Sequence, residues 1–309
     1  MGSRVFVVIL ALAPLGLGFG SATVGCSRGG VETSSTDGAA SASVTSEGQA
    51  DVLASDAAAA GPDAVAPTTS KRPARPARPR VPLLERRGDS EGPIPYRVVE
   101  PGKDRAKTAL VVALHGRGDN AEGFSRFAMR LGMDARIIVT EAPMPFGLNG
   151  GRQWYDSDSP DMSAQIRARV QELSRLCDKL AKLYPDAGKP TLYGFSQGAV
   201  VAMQAALEMP DRFAGVAALS GYLATEDGAV KPTTALPLPV LVTAGTKDHV
   251  IPQEKSWAAA IVLEKQGLAV KRFAFEGTHS VPPMVIDELV AFLESAALAE
   301  VARTTPPVP

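Results

Sequence analysis

The sequence predicts an α/β domain in which one mostly parallel sheet carries helices on both faces. Short apolar runs alternate with longer stretches whose apolar residues recur every three or four positions, the pattern of strands and helices taken in turn. The runs are continuous, as in ALVVAL at 109–114, which suits strands buried on both faces. With 309 residues, 45% of them hydrophobic, the chain is long enough to close such a core.

The elements follow in order. Ala109–Leu114 is a strand. Asp119 to Leu131 is a helix capped by Asp119 or Asn120, whose side chains can accept from the free N–H groups of a first turn. Ile137–Thr140 is a second strand. Asp161 to Tyr184 is a long amphipathic helix that stops before Pro185; Ile166, Val170, Leu173, Cys177, Leu180 and Tyr184 form its apolar stripe. Thr191–Phe195 is a strand that feeds a helix, Gln197–Glu208, ended by Pro210. Val216–Leu219 and Val240–Ala244 are strands. Pro252 to Gln266 is a helix with Gly267 beyond its end. Val270–Phe275 is the last strand and Pro282 to Ala296 the last helix. The folded domain is expected over residues 93–298, with a Pro-rich tail over 299–309.

The segment ahead of this domain has a different composition. Arg4 precedes the apolar stretch Val5 to Gly20, and small residues follow up to Gly25 and Cys26, the three-part pattern of an export signal over residues 1–26. Thr23-Val24-Gly25-Cys26 resembles a lipobox, with Thr23 where Leu is usual, so Cys26 is the candidate lipidation site. A freely secreted form and an uncleaved anchor are the alternatives. Residues 27–92 read as a disordered linker, first acidic and rich in Ser, Ala and Thr, then basic and Pro-repeating at Lys71–Arg80. That rod is a tether, or a contact for an anionic envelope polymer.

Composition also narrows the chemistry. The net charge of −1 gives no signal for a nucleic-acid partner. The three histidines, His115, His249 and His279, and the two cysteines, Cys26 and Cys177, lack the spacing of a zinc site, so no metal and no cofactor are expected. Cys177 reads as a buried small hydrophobe.

Gly194-Phe195-Ser196-Gln197-Gly198 fits G-x-S-x-G between a strand and a helix. In that context the serine sits on a sharp turn that lifts its hydroxyl clear of the sheet, and side chains at the flanking positions would crowd the turn. A serine hydroxyl needs a base, and the base an orienting acid. Asp248 leaves the strand Val240–Ala244 and His279 leaves the strand Val270–Phe275, so the order Ser196, Asp248, His279 is that of a hydrolase triad on such a sheet. His249 as base and Asp227 or Glu276 as acid are the alternatives. The N–H groups of Gln197 and of Arg117, in the loop His115-Gly116-Arg117-Gly118, are the candidate oxyanion donors. His115 reads as a structural hydrogen-bonding residue. Trp154, in a Gly- and Asn-rich loop, and Met144 and Phe146 are candidate pocket residues, with packing as the other reading of Trp154.

Five stretches carry a resemblance: LHGRGD at 114–119, Gln153-Trp154-Tyr155-Asp156, GFSQGA at 194–199, AGTKDHVIP at 244–252 and GTHSV at 277–281. In this combination the sequence resembles the phospholipase/carboxylesterase family of α/β-hydrolases, which includes acyl-protein thioesterases and small bacterial carboxylesterases. The resemblance implies a single-domain α/β-hydrolase, the triad Ser196, Asp248 and His279, and Arg117 and Gln197 as N–H donors. Arg117 stands where that family commonly has an apolar residue, and the export signal departs from its mostly cytoplasmic members. The expected activity is hydrolysis of small or exposed acyl esters through an acyl-enzyme in the cell envelope, on a small-molecule or lipid ester. Polyester or peptide cleavage by the same triad, and a non-catalytic envelope-binding lipoprotein, are the rival readings.

Overall fold

A computed structural model describes residues 83–87, 89, 92–101, 108–147, 149–224 and 237–304. The export signal, Cys26, most of the linker, Asp227 and the last five positions lie outside the described residues.

Chain order is β1 (Leu83–Arg87), β2 (Tyr96–Pro101), β3 (Ala109–Leu114), α1 (Ala121–Leu131), β4 (Ala135–Thr140), β5 (Met144–Pro145), β6 (Arg152–Gln153), α2 (Met162–Leu183), β7 (Thr191–Phe195), α3 (Gln197–Glu208), β8 (Gly215–Leu219), β9 (Pro239–Gly245), α4 (Gln253–Lys265), β10 (Ala269–Phe275) and α5 (Pro283–Thr304). The main sheet has eight strands in the order β1-β2-β4-β3-β7-β8-β9-β10. Every pairing from β4 to β10 is parallel, while β1 and β2 pair antiparallel at one edge. The expected α/β class, mostly parallel and two-faced, is the observed one.

The core has two halves. One face of the sheet packs on α2, α3 and α4. The other packs on α1 and α5, through residues such as Phe124, Phe127, Val285, Leu289 and Leu293. Helix α3 is buried on nearly every side, so its sequence QGAVVAMQAALE has no polar stripe. Helix α1 starts at Asn120, whose Oδ1 accepts from the Gly123 N–H at 2.8 Å, and it ends at Gly132 in the left-handed region (φ 59°).

Two expectations need correction at the domain ends. Residues 83–87, read as linker, form the edge strand β1 paired with β2. Backbone bonding to a neighbour supplies what the charged sequence LLERR does not, and charges are common on an edge strand. The last helix runs on to Thr304, into the stretch read as tail. Glu300 explains the extension: it is buried, and its carboxylate accepts from the Lys189 N–H at 3.1 Å. Cys177 is buried and free, and burial pushes its thiol up to about 12, so it carries no nucleophile at neutral pH.

Candidate active site

The site lies where β3, β7, β9 and β10 end. Ser196 follows β7 with φ 53°, a left-handed conformation that L residues adopt at a cost. Its N–H donates to Leu219 O at 3.0 Å and its carbonyl accepts from the Ala199 and Val200 N–H groups, which fixes the turn. A Cβ on Gly194 would lie 2.2 Å from Gly198 O, and one on Gly198 would lie 2.3 Å from Leu114 O. Both glycines of the motif are therefore needed for close approach, as expected.

The base and the acid arrive on two loops tied to each other. The Thr246 N–H donates to Phe275 O and the Lys247 N–H to Gly277 O, both at 2.9 Å. This brings the exits of β9 and β10 together. His279 Nδ1–H donates to Asp248 Oδ2 at 2.7 Å, and Ser196 Oγ–H donates to His279 Nε2 at 2.9 Å. Asp248 is 5% exposed, and its other oxygen accepts from the Val250 and Ile251 N–H groups, each at 2.9 Å. Those two donors fix the orientation of the carboxylate. The Phe195 ring stands 4.9 Å from the imidazole, centroid to centroid, and backs it on one side.

The rejected partners sit elsewhere. His249 is exposed. Glu276 is exposed and pairs with Lys247 at 2.6 Å; that hydrogen bond and charge hold its carboxyl below the usual range.

The oxyanion loop is positioned from three sides. Gly116 passes so close to the elbow that a Cβ there would lie 3.0 Å from the Phe195 ring and 3.4 Å from Ser196 Cβ. The Gly118 N–H donates to Arg152 O at 2.8 Å and the Asp119 N–H to Gly116 O at 3.2 Å. The N–H groups of Arg117 and Gln197 meet no acceptor among the described residues. A developing oxyanion at Ser196 would therefore find two uncommitted donors, one from each arm.

His115 is structural, as its sequence context implied. It is fully buried; its Nδ1–H donates to Gly116 O at 2.8 Å and its Nε2 accepts from the Ala142 N–H at 3.1 Å. Burial lowers its pKa and keeps the ring neutral, in line with that acceptor role.

Trp154 is not a pocket wall. It is 0% exposed, and its indole N–H donates to His115 O at 2.8 Å. A buried indole needs such an acceptor, and here it draws the 152–157 stretch into the core. Gln197 holds the same stretch from the other side. Its Oε1 accepts from the Trp154 N–H at 3.0 Å, and its Nε2 donates to Tyr155 O at 3.0 Å and Ser157 Oγ at 3.2 Å. One side chain thus links the residue after Ser196 to the 154–157 stretch, which the Trp154 indole in turn ties to His115, at the start of the loop that carries Arg117. Sequence spacing carries no sign of this link. Met144 and Phe146 are half-buried on the small hairpin β5–β6. The Arg117 guanidinium lies 4.9 Å from the Phe146 ring centroid, so Phe146 does border the oxyanion loop.

Residues 95–297 match the model of the phospholipase/carboxylesterase family. The chain belongs to that family. As a member it is a carboxylic ester hydrolase of the α/β-hydrolase fold. It is 31% identical over 221 residues to acyl-protein thioesterase 1 of Yarrowia lipolytica, covering 65% of this chain and 97% of that one. It is 31% identical over 210 residues to acyl-protein thioesterase 1 of Gibberella zeae, covering 60% and 89%. A carboxylesterase structure from Mesorhizobium loti superposes with a TM-score of 0.57 at 21% identity, over 70% of this chain and 99% of that one, and shares the fold.

Proposed function

We propose that this family member is a serine esterase that works through an acyl-enzyme at Ser196. The observation that carries the reading is the linked pair of hydrogen bonds, Asp248 to His279 at 2.7 Å and His279 to Ser196 at 2.9 Å. His279 Nε2 takes the hydroxyl proton as Ser196 Oγ attacks the ester carbonyl. Asp248 keeps the imidazole in the tautomer with its proton on Nδ1 and stabilises the imidazolium. The oxyanion rests on the N–H groups of Arg117 and Gln197. His279 then returns the proton to the leaving alcohol. Water, deprotonated by the same imidazole, releases the acid.

The proposed setting is the bacterial cell envelope, with Cys26 lipidated and residues 27–82 as the tether. The support is the signal pattern of residues 1–26 and the low hydrophobicity of the stretch that follows. Mass spectrometry of the mature N-terminus tests it; an unmodified chain that starts away from Cys26 ends the lipoprotein reading.

The activity is tested with a fluorophosphonate probe and a p-nitrophenyl ester panel from acetate to palmitate, with a thioester and a peptide anilide beside it. Labelling at Ser196 and a preference for short acyl esters are expected. Folded protein that takes no label would leave only a binding role. A preference for the anilide would make it a peptidase.

A further inference from the structure

Two cations on the rim of the site meet no carboxylate among the described residues: Arg117 and Lys255. Their neighbours behave differently. Arg152 pairs with Glu141 at 3.3 Å and Lys247 with Glu276 at 2.6 Å. Arg117 instead lies over Phe146, with 4.9 Å from its guanidinium carbon to the ring centroid. The Lys255 ammonium lies 5.8 Å from the Tyr222 ring.

Tyr222, half-buried, carries the phenol beside Lys255; its Oη lies 3.4 Å from Tyr155 Oη, and Tyr155 is itself only 1% exposed. Both cations are tied to the elbow through their neighbours: Tyr155 O accepts from Gln197 Nε2 at 3.0 Å, and Gly116, next to Arg117, packs on Ser196. Glu254 precedes Lys255 and is exposed, which makes Lys255 the weaker cation of the two.

We propose that this rim binds an anionic group, carboxylate or phosphate, on the ester that Ser196 cleaves, with Arg117 as the main specificity determinant. The proposal rests on the esterase reading above and names the substrate class for it. A guanidinium held against an aromatic ring and free of a carboxylate suits a two-oxygen anion, which it can grip through two parallel N–H bonds. Partial exposure makes the contact sensitive to salt.

The test uses the full chain and four esters. p-Nitrophenyl hemisuccinate against p-nitrophenyl butyrate places the anion on the acyl side. Butyryl glycerol phosphate against monobutyrin places it on the alcohol side. Wild type is expected to favour the anionic member of at least one pair by about tenfold in kcat/KM, chiefly through KM. Arg117→Met is expected to remove most of that ratio, Arg117→Lys to keep part of it, and Lys255→Gln to reduce it by about threefold. Raising the salt should shrink the ratio as well. Turnover with no anionic preference in either pair, or a preference that survives Arg117→Met, overturns the charge assignment and leaves the esterase reading in place. Failure to turn over any of the four by protein that also resists the fluorophosphonate probe removes the esterase reading itself.

Discussion

Ser196 and Ser220 stand at the ends of neighbouring strands and share a backbone. Both have positive φ, 53° and 51°. Each donates its N–H to the next strand over, Ser196 to Leu219 O and Ser220 to Thr243 O, both at 3.0 Å. Their hydroxyls differ. Ser196 Oγ is half-buried and bonded to His279. Ser220 is 1% exposed, and its Oγ has no partner among the described residues. The strained turn alone therefore makes no nucleophile. Ser196 differs in having a base in line, a helix that starts at the next residue and an opening to solvent. Ser220 has none of these, and its strain serves only to turn the chain toward Gly221 and Tyr222.

The largest test of that contrast is loss of the hydroxyl. Ser196→Ala should reduce ester turnover by about 10⁴-fold or more, with a melting temperature close to wild type. His279→Ala should match it, and His249→Ala should retain activity. Ser220→Ala should also retain activity; a dead Ser220→Ala enzyme would break the comparison.

Gln197→Ala sharpens it. The variant keeps the backbone N–H but loses the bonds to Trp154, Tyr155 and Ser157. A fall of about 100-fold in kcat with little change in KM is expected, because a displaced oxyanion donor weakens transition-state binding more than substrate binding. An equal loss in KM alone would assign this side chain to substrate binding instead.

The third effect concerns His115, which ties the Arg117 loop to the core. Burial holds its folded-state pKa below the ordinary 6.5. Below that pH the unfolded chain binds a proton that the folded chain refuses. Stability is therefore full above pH 6.5 and falls as the pH drops toward the lowered folded value. His115→Gln should be less stable than wild type near neutral pH, and the gap should narrow by about 1 kcal/mol on acidification to about pH 5.5. Urea unfolding across that range reads it; a constant gap would refute the assignment.

The smallest effect is expected at Ser220→Gly. Glycine takes the left-handed backbone freely, and the unpartnered hydroxyl disappears. A gain of up to about 1 kcal/mol is expected, with esterase activity retained. Calorimetry checks it, and a loss of stability would mean that the Ser220 hydroxyl has a use.

The same contrast explains what was legible in the sequence. The strand at Thr191–Phe195 and the helix at Gln197–Glu208 were read to the residue, because apolar runs, glycines and Pro210 mark their ends. The triad was legible from chain order, since each member leaves a recognisable strand. Ser220 carries no motif, and nothing local announces its positive φ. The edge strand β1 and its neighbour β2 escaped notice for another reason: LLERR and YRVVEP are not continuous apolar runs, and antiparallel pairing near the edge defines them. Trp154 was ambiguous because its Gly- and Asn-rich surroundings look exposed. The two hydrogen bonds that bury it come from residues some 40 positions away in sequence, Gln197 and His115.

One feature of the core bears on how the protein is made. Helix α5 packs on β3, β7, β8 and β9. Val285, Leu289 and Leu293 cover a face of the sheet that, among the described helices, only α1 shares. Synthesis from the N-terminus therefore leaves the part of that face under Val285, Leu289 and Leu293 bare until α5 has emerged, and this half of the core closes only when that helix arrives.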